Sequence, residues 1–233
     1  MRRLLAAGFV VIAAGLCLPA TTYAQQTITF SLGGFRPTGA EGRFDNGGDV
    51  LVNNQDFLLF DIGQFHGFTF NADYTVPLGR FFDAGLGVGY YQQTVPAIYA
   101  DFEDTNGRDI QQDLRLRITP FTATIRFLPF GRQHGIEPYV GGGLGIFNYH
   151  YSEAGDFIDF NDNSIFTDKF VGSGTATGPV ILGGVRIPIG PLGFGGEVRW
   201  QSADGDLPAS EEFSSDHIEL GGWTYLATFH VRF

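Results

Sequence analysis

Cysteine is almost absent: the only one among 233 residues is Cys17. It lies within an N-terminal leader, so the rest of the chain holds no thiol, which excludes a disulfide framework and cysteine nucleophiles. Basic residues are scarce as well. Lys and Arg number 14 against 25 Asp and Glu, a net charge of −11, so the chain is a poor candidate for binding nucleic acid. Beyond Leu18 no long apolar run remains, which excludes a transmembrane helix in the body of the chain. Few segments show helical periodicity, while glycine (34) and phenylalanine (24) are abundant. The chain reads as all-β.

In the leader, Arg2 and Arg3 precede an apolar stretch from Leu4 to Leu18, and Thr22-Tyr23-Ala24 offers a small-x-small cleavage site. This is the pattern of a secretory signal peptide over residues 1–24, leaving residues 25–233 as one domain. A membrane anchor would need a longer run, and lipidation of Cys17 would need a small residue where Leu16 stands.

What the body contains is alternation. In GGWTYLATFHVRF (221–233), Trp223, Tyr225, Ala227, Phe229, Val231 and Phe233 fall on one face, and a period of two marks a strand whose sides meet different surroundings. Three turns repeat the order apolar-Pro-apolar-Gly: VPLGR (76–80), LPFGR (128–132) and IPIGP (187–191). Proline presets the turn and glycine supplies positive φ at its exit, so each predicts a short hairpin connection. The frame predicts eight strands, at about 26–36, 64–76, 81–92, 114–128, 136–149, 175–187, 193–202 and 217–233. In the fourth, Leu114, Leu116 and Ile118 are out of phase with Phe121, Ala123, Ile125 and Phe127, with Pro120 between them. A β-bulge is predicted there.

The intervening segments 37–63, 93–113, 150–174 and 202–216 are predicted as long loops with five acidic residues each. DFEDTNGRD (101–109) and DFIDFNDN (156–163) have oxygen ligands at spacings calcium could use, but neither matches the ordered EF-hand loop. Solvated acidic loops are the expectation, with no metal site and no cofactor.

The apolar faces are bracketed by aromatics, as from Phe82 to Tyr90 and from Trp223 to Phe233, over the roughly 9–11 tilted residues that cross a bilayer. The opposite faces carry glycine, threonine and opposed charges. A water-soluble, lipocalin-type barrel shares the alternation, but the aromatic spacing and the small, charged opposite face favour apolar-out. The expected lumen network comprises Asp73, Arg126, Glu137, Arg186, Glu197 and Arg199.

The terminal pattern Trp223, Tyr225, Phe229, Val231, Phe233 resembles the last strand of bacterial outer-membrane barrels, and GIEPYVGGGLGIFNYHYSE (135–153) resembles the small barrel family of OmpA, OmpX and OmpW type. The resemblance implies an eight-stranded antiparallel up-and-down transmembrane β-barrel in the outer membrane of a Gram-negative bacterium. Its partners would be outer-membrane lipids, lipopolysaccharide and an external ligand of unknown kind. The barrel-assembly machinery would read those five C-terminal residues as a membrane-assembly signal. No peptidoglycan-binding domain follows the barrel as in the OmpA type, so cell-wall anchoring is not implied.

Three functions fit this frame. The first, and favoured, is a closed, non-enzymatic barrel with an envelope structural or surface-interaction role, its lumen filled by the ionic side chains. The second is a porin-like conduit for small apolar molecules, using room left by inward glycines such as Gly85, Gly87 and Gly141. The third is a lipid-modifying envelope enzyme built on His150, Ser152 and Glu153, although alternation puts Glu153 on the other face from its neighbours and no nucleophile motif surrounds them.

Overall fold

A computed structural model describes residues 26–38, 48–132, 135–159, 162, 164–211 and 213–233. The signal-peptide reading of residues 1–24 lies outside the described residues, as do Glu41, Arg43, Asp45 and Glu212.

In chain order the strands are β1 (Thr27–Pro37), β2 (Leu58–Leu59), β3 (Gly67–Leu78), β4 (Phe82–Glu103), β5 (Asp109–Phe127), β6 (Glu137–Asp159), β7 (Ser164–Ile189), β8 (Leu192–Gln201), β9 (Asp204–Asp206), β10 (His217–Glu219) and β11 (Gly222–Arg232). Eight of them close a ring in the order β4-β3-β1-β11-β8-β7-β6-β5, with β5 pairing back onto β4. All the pairs are antiparallel, and all but β1–β11 join strands consecutive around the meander. The seam is sealed by backbone hydrogen bonds that Gln26 and Phe233 exchange at 3.0 Å. The fold is an eight-stranded up-and-down barrel, and closure satisfies the edge groups that an open sheet would expose.

The three Pro-Gly turns lie at one end, between β3 and β4, β5 and β6, and β7 and β8. Gly79, Gly131 and Gly190 sit there at φ of +79°, +68° and +63°, a region costly for any residue with a Cβ.

At the other end the structure corrects the sequence. The segments 93–113 and 150–174 are not long loops: β4 runs on to Glu103, β5 starts at Asp109, and β6 and β7 extend to Asp159 and from Ser164. The turn at 104–108 is held by Asp104, which accepts from the backbone N–H of Asn106 and of Arg108 and pairs with the Arg108 guanidinium at 2.7 Å. Those hydrogen bonds, the Arg108 amide's foremost, hold its carboxyl down to a pKa of about 2. Among the described residues no cluster of His, Cys, Asp and Glu could hold a metal ion.

The predicted bulge at Pro120 is absent. Along β5 every even position from Ile110 to Leu128 except Pro120 is buried, and the odd positions apart from half-buried Thr119 are exposed. Val88 opposes Phe121 and Tyr91 opposes Ile118, so the β4–β5 register is the same on both sides of Pro120; the shift falls instead between Ile98 and Glu103. The β5–β6 register is likewise unbroken, with Pro120 opposite Phe147. The backbone does not slip; the surroundings exchange. Below Pro120 the outer face is apolar and the inner face polar, and above it the inner face is apolar (Leu114, Leu116, Ile118) and the outer face charged (Asp113, Arg115, Arg117).

Candidate functional site

The interior has two zones. In the turn-proximal zone Asp73 of β3, Arg126 of β5 and Glu197 and Arg199 of β8 form a ring of alternating charge. Asp73 accepts from Arg126 and from Arg199, each at 3.2 Å; Arg199 donates to Glu197 at 2.6 Å; Arg126 lies 3.5 Å from Glu197. Tyr139 of β6 donates its hydroxyl to Glu197 at 2.8 Å, and its ring lies against both guanidinium groups, Arg126 at 5.3 Å and Arg186 at 4.9 Å. Glycine provides the space: a Cβ at Gly87 would come within 2.5 Å of the Asp73 carboxylate, and one at Gly184 within 2.5 Å of the Tyr139 hydroxyl.

Nearer the turns, Asp83 bridges Arg186, at 3.0 Å, and Arg132, while Glu137 pairs with Arg232 of the last strand. Glu137 and Arg186 are direct register neighbours, yet their ion pairs go to these other partners. His230 completes the layer between the hydroxyls of Thr29, at 2.8 Å, and Thr228, at 2.9 Å. Of the six residues expected in the lumen, four meet in the central ring and Glu137 and Arg186 lie in the layer below. Sequence reasoning missed Asp83, Arg132 and Arg232 as members. The available signal was shared parity: Asp83 is on the face of Gly85 and Gly87, and Arg232 on that of His230.

Opposite charges on seven strands, all of the ring but β1, thus tie the barrel across its axis, and each has at least one partner of opposite charge. Between this zone and the next, a cavity lined by Asn71, Tyr91, Ile118, Pro120 and Arg199 has a volume of about 20 Å³, the size of a single water.

The upper zone is largely apolar. Val95 and Ala97 of β4, Leu114, Leu116 and Ile118 of β5, and Phe147, Tyr149 and Tyr151 of β6 turn inward onto the segments that enter the mouth. A short helix α1 (Val50–Asn54) is capped by Asp49, which accepts from the Leu51 N–H at 2.7 Å, and it buries Val50, Leu51 and Asn54. A 3₁₀ turn, Ile62–Phe65, is closed by an Asp61–Gln64 capping box and buries Phe65, whose carbonyl accepts from the Tyr91 hydroxyl. Ile218 of β10, with Leu207 and Leu220, completes the stopper.

A buried carboxylate helps to anchor it. Glu153 of β6 is buried and accepts from the Asn54 side chain at 2.7 Å and the Tyr151 hydroxyl at 2.8 Å, while Ser214 donates to Asn54 at 2.6 Å. Burial pushes the Glu153 carboxyl above its ordinary pKa, against the opposing effect of those two donors, and burial also raises that of Asp49. Glu153 therefore faces inward and serves α1, while His150 and Ser152 take the outer positions of β6, opposite Arg117 and Arg115. The structure does not bring the three together.

Outside, a continuous apolar belt surrounds the lower zone: Phe30 and Leu32, Phe68 and Phe70, Leu86 and Val88, Phe121 and Ile125, Val140 and Leu144, Ile181 and Ile187, Phe194, Trp223 and Tyr225 are all exposed. Trp223, Tyr225, Phe229 and Val231 share the outer face of β11, with Phe229 against Phe194, and Phe233 is 60% exposed just beyond it. An exposed apolar surface of this extent is unstable in water and stable in lipid. Among the described residues no helix is long and apolar enough to cross a membrane.

The sequence matches no family model and no curated protein. Its structure is similar to that of the outer membrane protein OprG from Pseudomonas aeruginosa, at 12% identity and a TM-score of 0.51, over 90% of this chain and 96% of that one. Lower-scoring likenesses are to Neisserial surface protein A (13% identity, TM-score 0.45, 90% and 99% covered) and a major outer membrane protein from Thermus thermophilus (12%, 0.45, 90% and 99%). The fold is that of a small bacterial outer-membrane β-barrel, and the belt is the surface such a barrel turns to lipid.

Proposed function

We propose that this chain is a sealed outer-membrane barrel with an envelope structural or surface-interaction role, whose working surface is the acidic extracellular end rather than the lumen. The observation that carries the reading is the double closure: a charge-paired cross-section in the lipid-embedded zone and, above it, an apolar core around α1. The long polar-out strands make the outer end a rigid stalk, and the loops at its tip are the surface offered to external ligands. Insertion would use the C-terminal residues Trp223, Tyr225, Phe229, Val231 and Phe233 as the assembly machinery's signal.

Solute uptake by liposomes containing the refolded chain tests it. The sealed barrel passes neither charged nor small apolar solutes above the rate of empty liposomes. Uptake of apolar solutes that is abolished by filling the lumen further, as in Gly87→Leu, would establish the conduit instead.

A further inference from the structure

Arg115 and Arg117 occupy consecutive outward positions on β5, immediately above the belt. Gln92, one outward position above the exposed ring of Tyr90 on β4, is the register partner of Arg117. At about 3.3 Å per residue and a strand tilt of about 40°, Arg117 stands about 5 Å above the Tyr90 level, the depth of the lipid headgroups. His150 on β6 is directly opposite Arg117, and the charges of Arg117, Lys169 and Arg115 all bear on its ring. Both arginines are exposed, and neither forms an ion pair among the described residues. Their neighbours across β4, Gln92 and Thr94, are neutral. A cluster of unpaired positive charge is unexpected at the outer end of a chain with net charge −11. The acids of this end lie higher, beginning with Asp113, and leave the lower side of the cluster open. Just below are Phe121, Leu144 and Ile146, exposed and able to lie along acyl chains.

We propose that Arg115, Arg117 and His150 form a binding site for the phosphorylated headgroup of an outer-leaflet glycolipid, with its acyl chains on the belt beneath. Phosphate is the ligand chemistry that matches two adjacent guanidinium groups. A lipid is the source because the site borders lipid and opens downward. The proposal rests on the outer-membrane reading but not on the sealed lumen, so solute uptake and lipid retention can fail separately.

The test is native mass spectrometry of the folded full barrel in mild detergent, titrated with diphosphoryl lipid A, with the same glycolipid lacking its phosphates, and with inorganic phosphate as competitor. Diphosphoryl lipid A should be retained and the dephosphorylated form lost. The R115Q/R117Q variant, checked for folding by the heat-dependent mobility shift, should bind roughly 10- to 30-fold more weakly. R115K/R117K should retain most of the binding. Should the double variant fail to fold, R117Q alone should weaken retention about fivefold, and wild-type retention should fall as salt is raised. Equal retention with and without phosphates, unchanged retention by the folded glutamine variants, or displacement by millimolar inorganic phosphate would overturn the proposal.

Discussion

Ile118 and Thr122 both face into the barrel from β5, with only Pro120 between them on that face, yet Ile118 belongs to the apolar core of the mouth and Thr122 to the polar lumen. The strand does not kink or slip to achieve this. The outer surface changes from apolar to charged at the level of Pro120, and the inner surface changes the opposite way, the exchange expected where the outside passes from hydrocarbon to water.

The central ring makes Glu197 the least replaceable acid of the lumen. Glu197→Leu would leave Arg199 and Arg126 sharing Asp73 and remove the partner of the Tyr139 hydroxyl, lowering stability by about 3 kcal/mol. Denaturant unfolding in detergent micelles measures it. The adjacent lipid-face change Val198→Arg should cost about 2–4 kcal/mol if its position is near the midplane. A mild Glu197→Leu would mean that the ring is solvated rather than sealed.

The stopper should tighten in acid. Glu153 has a folded-state pKa raised by burial from its ordinary 4.5, so its stabilising contribution is full below that value and is lost as pH rises through the folded pKa. Asp49, also raised, acts in the same direction. Amide hydrogen exchange in α1 should slow as pH falls from neutral, after correction for intrinsic rates. Glu153→Gln should flatten much of that dependence, and faster corrected exchange in acid would refute it.

Phe233 closes the seam through its backbone while its ring stays exposed. Phe233→Asp keeps the backbone pairing available but removes the terminal aromatic. It should sharply reduce folded barrel in the outer membrane, read by the heat-dependent gel shift, while the leader is still removed. Wild-type levels of shifted protein would show that the C-terminal pattern is not an assembly signal.

The lower half of the fold was legible in the sequence because each strand there meets one environment per face. Alternation from Phe68 to Val76 and from Trp223 to Val231, with glycine at three turns, marks the strands and short connections there, while the closed ring is what the resemblance implies. The upper halves of β4 to β7 were not legible in the same way. Once the outer face is wet, Leu114, Leu116 and Ile118 take the parity that Thr122, Thr124 and Arg126 hold below, and this exchange looks like a bulge to any reading that assumes one polarity per strand. The acidic residues of 93–113 and 150–174 resemble loops for the same reason. In the lumen, parity identified six of the charges that point inward, but the partners of Asp73 and Asp83 lie on strands distant in sequence, and only closure of the ring brings them together.

A spin-label scan along β5 in reconstituted bilayers, with oxygen and a water-soluble collider as relaxants, tests the exchange of environments most directly. Labels at 121, 123, 125 and 127 should favour oxygen, labels at 113, 115 and 117 the water-soluble collider, and labels at 114, 116 and 118 should be reached by neither. If 113, 115 and 117 prove as oxygen-accessible as 121 to 127, while 114, 116 and 118 meet the water-soluble collider, then lipid covers the whole strand around a wet channel and the two-zone, sealed barrel is wrong.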